Sequence, residues 1–535
     1  MNYLKERDGD LFSNADLKQL IVPLLIEQLL AIAVGMADSI MVSSVGEAAV
    51  SSVSLIDTIF ILLINMFTAI ATGGAVVCGQ YIGKKRPHKA CEAADQLLLV
   101  TTALSVVIMA AVYLLKPFIL HVVFGNITAE VERNCNIYLM IVAASIPFLA
   151  VYNGCAAIFR AQGDSKTPMK ISIVMNLINI SGNALLVYAL KFGVDGVAIP
   201  TLLSRMYAAV AAFVLVHNKR YLVRCSYPVK VKPDFHMLKK ILGIGIPNGL
   251  ENSMFQLGKI MVLSMITQFG TASIAANAVS NTIAVFQTLP GMAIGNAVLT
   301  VSAQCAGAGD YEQVKYYAKK LHIIIYGLMI VCCLGVIAAL PAVLHVYSLS
   351  AEATAMTEDI IVYHGICCMI IWPIAFNLPN VLRASNDVAF CMILSILSMW
   401  ICRIGMSYVL GVRMGFGVFG VWVAMTMDWV VRAIFLCPSL SKREVAASDV
   451  MKNTECFGER ERKNDTSGGS YYYEKRKETD SRSGDCAGDC RCGEIPGKPG
   501  GERRTALYRG IGHRHVYRYD CECLLQAEQR DSAGN

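Results

Sequence analysis

The sequence predicts an all-α polytopic membrane protein, with twelve transmembrane helices in two pseudo-symmetric six-helix lobes. Three observations carry that prediction. Hydrophobic residues fill 55% of the 535 positions and charged residues 16%, with a mean hydropathy of +0.50, whereas soluble domains carry roughly 25% charge. The apolar residues fall in runs of about 20, the length that crosses a bilayer. The stretch from Pro23 to Gly46 also returns 224 positions later as Pro247 to Gly270, and the ungapped register continues through Gln80 on Gln304 and Gly83 on Gly307. A match of this length over three helices marks an internal repeat.

Residues 1–16 are polar and mixed in charge, and read as a cytoplasmic N-terminus without a cleaved signal. The N-lobe occupies 17–217, with helices expected near 17–42, 49–77, 93–115, 136–160, 168–190 and 195–217. A basic linker, 218–236, carries Pro228 and Pro233 and reads as a cytoplasmic tether. The C-lobe occupies 237–437, with helices near 237–267, 275–303, 319–345, 358–383, 387–411 and 416–437. Between the spans, the loops on the N-terminal side and the helix ends that flank them hold eighteen Lys and Arg against four on the other. That bias places both ends of the helical region inside. An even number of spans per half makes the repeats parallel, with the pseudo-twofold axis along the membrane normal. Pro23, Pro147, Pro168, Pro247, Pro290 and Pro373 are the expected bend points.

Residues 438–535 turn abruptly to Gly, Arg, Asp, Ser and Cys without apolar periodicity. This tail is expected to be disordered, and its text resembles translation in a shifted frame. Its Cys486, Cys490, Cys492, Cys521 and Cys523, with His513 and His515, fit no standard zinc spacing. The net charge of +7 sits in short loops rather than on one face, so nucleic acid is not an expected partner. Twelve of the 19 cysteines precede residue 437, mostly within spans, and form no disulfide framework. His217, His322, His345 and His364 are isolated, and no phosphate-binding loop of Walker type occurs. These absences weigh against a membrane-embedded enzyme or an ATP-driven pump.

The polar residues inside the spans are the candidates for function, because each is costly in hydrocarbon. Glu27 and Asp38 are eleven residues apart, which returns them to one helix face. A carboxylate there can trade a proton or, with further oxygens around it, hold a sodium ion. The alternative is that both merely meet water at the two interfaces. On the seventh helix Glu251 has Asn248, Asn252, Gln256 and Lys259 at helical spacing. Lys259 reads either as the counter-ion of an acid or as half of a static salt bridge with Glu251. Asp57, Arg205, Arg403 and Asp428 read as snorkelling or paired charges near helix ends. On the fifth helix Asn176, Asn179 and Asn183 share a face, and Thr201 follows on the sixth. Such a stripe can ligate a cation, relay to an acid or join helices.

ADSIMVSSVG, from Ala37 to Gly46, resembles the first-helix signature of the multidrug and toxic compound extrusion (MATE) family. Pro247-x-x-x-Glu251 resembles its seventh-helix motif, and RAQGD and RASND resemble its repeated turns. The resemblance covers residues 15 to about 437. It implies two six-helix lobes that exchange small organic cations or amphipathic drugs for inward-moving Na+ or H+, with no cofactor and no metal beyond Na+.

By position, the resemblance puts a cation-coupling site at Asp38, Asn179, Asn183 and Thr201, with Glu251 as the C-lobe acid. Asn183 stands where many members have Asp, and the tenth helix offers His364 and Asn377 rather than a carboxylate. Glu27, Asn252, Gln256 and Lys259 are the supporting polar residues. Met36, Phe67, Met254, Phe255 and Phe286 are the expected walls of a substrate pocket, since Met and aromatics repack around flat cations. A monomer in a bacterial inner membrane is expected. The alternative within transport is a flippase for a lipid-linked oligosaccharide of the same broad superfamily.

Overall fold

The computed structural model describes residues 10–125, 127–226, 232–347 and 349–438. The predicted tail lies outside them. The first helix, α1 (Asn14–Ser43), opens on a capping box in which the Ser13 hydroxyl accepts from the Asp16 N–H and the Asp16 carboxylate accepts from the Ser13 N–H. This satisfies amides that a helix start leaves unpaired. There follow α2 (Glu47–Gly83), α3 (Pro87–Leu114) and α4, which runs as Ala129–Ala143 and then Ile146–Ala161. The N-lobe closes with α5 (Lys166–Ala189) and α6 (Asp195–Val216).

The second half repeats the order: α7 (Phe235–Ile266), α8 (Thr271–Ala308), α9 (Tyr311–Tyr347), α10 as Ala351–Ile370 and then Trp372–Ala384, α11 (Val388–Arg413) and α12 (Gly417–Pro438). Among the described residues nine helices are long and apolar enough to cross a membrane, and the two broken pairs bring the number to eleven. The twelfth is α7, long enough at 32 residues but diluted by its own polar stripe. Both α4 and α10 bend by 44°, with Pro147 or Pro373 in the first turn after the break. Proline cannot donate to the preceding turn, so the helix restarts there. Pro23, Pro247 and Pro290 lie inside continuous helices, and Pro168 lies in the first turn of α5.

The repeat is visible in the backbone. Gly46 and Gly270, 224 positions apart, both take positive φ (136° and 91°) in the turn before the second helix of each half. Each half also lends the start of its first helix to the other. Leu17, Leu20, Ile21 and Leu24 of α1 pack with Ala297, Tyr317 and Leu378, while Met237, Ile241 and Ile244 of α7 pack with Ile70, Leu97 and Phe159. The Tyr317 hydroxyl holds the chain before α1 through the Phe12 N–H and C=O, both at 2.8 Å. Apolar side chains such as Val107, Leu177, Val214, Val331 and Ile434 face outward and exposed, the surface a bilayer covers.

Between the lobes α2 packs on α7 and α8. Contact is tightest at the ends nearest the basic turns. Gln80 donates to the Ala384 carbonyl at 2.8 Å, and Gln304 donates to the Ala161 carbonyl at 2.8 Å. A Cβ at Gly83 would fall on the Gln304 carbonyl and one at Gly307 on the Gln80 carbonyl. Only glycine allows this approach. Toward the other end Ile61 on α2 and Asn281, Thr282 and Val285 on α8 are exposed, whereas Ala293 to Ala306 of α8 is mostly buried.

The linker is more than a tether. Ser226 donates its N–H (2.8 Å) and hydroxyl (2.7 Å) to Asp95. The adjacent Gln96 accepts the Asp234 N–H at 2.9 Å and donates to the Lys232 carbonyl at 3.0 Å. Two consecutive residues of α3 thus clamp both described ends of the linker.

Candidate functional site

Asp38 is presented by α1 and the three asparagines by α5, where their three- and four-residue spacing puts them on one buried face. Asn183 donates to Asp38 at 2.8 Å and lies 3.4 Å from the Asn179 amide oxygen; Asn179 donates to Thr201 at 3.2 Å, and Thr201 donates to the Val197 carbonyl at 2.9 Å. The four predicted residues therefore form one hydrogen-bonded chain across three helices. It has a free acceptor: the Asn183 amide oxygen is buried without a partner. Asp57 and Arg205 stand close enough to act on the Asp38 charge. Tyr138 lies 3.4 Å from Asp57, and Arg205 donates to the Ser145 hydroxyl at 2.7 Å. Among the described residues no three His, Cys, Asp or Glu converge as metal ligands. A cation here would meet one carboxylate and neutral oxygens, a donor set suited to Na+ or to a proton on Asp38.

Glu251 belongs to a different arrangement. Its partner is Arg383 on α10, at 2.7 Å, and Glu27 meets Arg160 on α4 at 2.6 Å. These are the same interaction made once in each lobe. Of the two readings of Lys259, the static bridge to Glu251 does not form, because α7 turns Lys259 toward the ring of Phe255, 5.1 Å from its centroid. Sequence spacing alone does not join either arginine to its glutamate, although both lie in the matched RAQGD and RASND turns. The signal was available, since Arg160 and Arg383 recur at nearly the offset that relates the glutamates.

The expected pocket walls divide. Phe67 is fully buried in the N-lobe core with Ile56, Phe60 and Leu139, so it does not face a cleft. Met36 is exposed, and Met254, Phe255 and Phe286 are half-buried, as are Asn252 and Gln256. Phe255 packs edge-on to Phe376, which stacks on Trp372. His364 pairs with Gln287 between Trp422 and Trp429. Arg403 and Asp428 are not snorkelling end charges: both are buried in this aromatic interior, Asp428 with Arg432 at 3.1 Å. A small cavity at the lobe boundary is lined by Thr68, Thr72, Asn153, Arg160, Asn296 and Thr300.

The MatE family profile matches the chain twice, over residues 23–185 and 247–409. The chain belongs to the MatE family. Each match falls in one half, and the two are offset by the 224 positions that relate the repeats. The chain is similar to the uncharacterized transporter YisQ of Bacillus subtilis, 28% identical over 77% of this chain and 91% of the relative. It is 23% identical to the probable multidrug resistance protein NorM of Thermotoga maritima, over 82% of this chain and 95% of that protein. An outward-facing multidrug resistance MATE family transporter superimposes with a TM-score of 0.76 at 20% identity, over 81% of this chain and 96% of that one. The relatives of this MatE chain are transporters rather than enzymes.

Proposed function

We propose that this MatE protein is a secondary active efflux transporter, exchanging cationic or amphipathic organic compounds for Na+ or H+ through the N-lobe site. The supporting observation is the chain from Asp38 through Asn183 and Asn179 to Thr201, with its unpaired buried oxygen. A cation or proton at Asp38 neutralises the carboxylate and releases its hydrogen bond to α5. That changes how α1 packs, and α1 also reaches into the C-lobe core. Binding at one lobe therefore biases the relation between both, and drug and cation compete through alternative states. An acidic first helix favours this reading over a lipid-linked oligosaccharide flippase.

In this reading the N-terminus and the basic turns are cytoplasmic, in a bacterial inner membrane, and the protein acts as a monomer. The lobes then meet on the cytoplasmic side and the cleft faces outward. The test is efflux of a fluorescent organic cation from energised cells, comparing wild type with Asp38→Asn while Na+ pulses and a proton uncoupler are applied separately. Efflux by wild type that stops with one ion gradient and falls at least about tenfold in Asp38→Asn is expected. Equal efflux by the two proteins, both present in the membrane, would remove the antiport reading.

A further inference from the structure

The two lobes carry different charge around the same repeated helices. Sliding the C-lobe back by 224 residues puts Val262 on Asp38, Ser407 on Asn183, Met425 on Thr201, Lys259 on Gly35 and Arg403 on Asn179. The N-lobe acid has no C-lobe counterpart, and two cations stand near its place. They converge on one ring: the Arg403 guanidinium lies 4.8 Å and the Lys259 ammonium 5.1 Å from the centroid of Phe255.

Fold stability does not account for both cations. Arg432, also near this ring at 5.8 Å, is fully engaged by Asp428 and by the hydroxyl and carbonyl of Ser395. Arg403 is 8% exposed and its Nε has no partner. Among the described residues no carboxylate is within ion-pair distance of Arg403 or Lys259; the nearest candidate by sequence, Glu251, is held by Arg383. Unpaired cations at membrane depth are costly and persist where they face a cavity or meet an anion. The backbone adds a local sign. Arg403 sits in a π-helical turn, Met399–Gly405, that the equivalent stretch of α5 lacks, whereas the later π turn Tyr408–Arg413 has a counterpart at Leu185–Ala189. Such turns re-aim a side chain and recur at functional sites.

We infer that the C-lobe holds an anion subsite, in which Lys259 and Arg403 take the carboxylate or other oxyanion of an aromatic substrate whose ring packs on Phe255. Guanidinium and ammonium donors suit an oxyanion, and the aromatic wall suits an attached ring. The inference rests on the transport reading and sharpens its substrate class. With an acid in one lobe and two bases in the other, the transported molecule is an aromatic zwitterion, or an anion admitted alongside cations.

The test compares rhodamine B, which carries a free carboxylate, with its ethyl ester, which is cationic. Binding to the purified full chain in nanodiscs is followed by fluorescence anisotropy. Wild type is expected to bind the acid at least as tightly as the ester. Lys259→Gln and Arg403→Gln should each weaken the acid about tenfold and leave the ester within about twofold, with benzoate competing only against the acid. Lys259→Arg should keep the preference for the acid. Ester binding reports that each variant is folded, and Lys259, being exposed, can be replaced without opening the core. Equal losses for acid and ester, or none for either, would overturn the subsite. If the ester binds through Asp38 while the acid ignores Lys259, the subsite falls and antiport stands. If the ester is neither bound nor exported by wild type while the acid binds through Lys259, the subsite stands and the cationic reading falls.

Discussion

Glu27 and Glu251 each meet an arginine that follows more than a hundred residues later, Arg160 and Arg383, with little exposure of either side chain. A buried carboxylate left without its cation is far more harmful than removal of the whole pair. Arg383→Met is therefore expected to destabilise the full chain by about 3 kcal/mol, and adding Glu251→Gln to recover most of the loss. The thermal midpoint in detergent measures both. An unchanged midpoint for Arg383→Met alone would show that Glu251 does not depend on the pair. At this scale the sequence was uneven. Asp38 and the asparagines were legible because each is expensive in hydrocarbon and the spacing of the asparagines is local. The glutamate partners were not, because pairing across 132 or 133 residues is a property of the fold. Spacing along α7 also leaves the partner of Lys259 open, and the fold sets it beside Phe255.

Among elements, spans were legible from apolar runs and the two sharp bends from proline, since both signals act within one helix. The π turn around Arg403 was not, because one extra residue in a single widened, underwound turn is lost within a continuous apolar run. Nor was the clamp on the linker, where Asp95 and Gln96 read as ordinary polar residues at the start of a span. Asp95 makes two hydrogen bonds to Ser226, each worth about 1.5 kcal/mol or more because the acceptor is charged. Asp95→Ala is expected to free the linker around Ser226 and to speed trypsin cleavage after the nearby Arg224 about tenfold or more in folded protein. Limited proteolysis read by N-terminal sequencing checks it. Cleavage at the wild-type rate would mean that the segment is held by other contacts, such as those of Val223 to Gln162.

At the scale of the whole molecule, the reciprocal bonds of Gln80 to Ala384 and Gln304 to Ala161 join the lobes at one end through two equivalent contacts. The repeat predicts that they come as a pair, since the glutamines align at the offset of 224. That they point across the lobe boundary appears only in the structure. Each neutral bond contributes about 1 kcal/mol, so losing both shifts an equilibrium between closed and open forms of this end by about 2 kcal/mol, or roughly 30-fold. Gly83→Val adds a clash with the Gln304 carbonyl and should act in the same direction. Nitroxides introduced at 85 and 308 through an unnatural amino acid avoid the native cysteines and report the separation by double electron–electron resonance. Wild type should give one short distance, and Gln80→Ala with Gln304→Ala a second, longer population, stronger still with Gly83→Val. If all three gave the wild-type distance alone, the packing of α2 against α7 and α8, rather than the glutamine pair, would set which end of the transporter is closed.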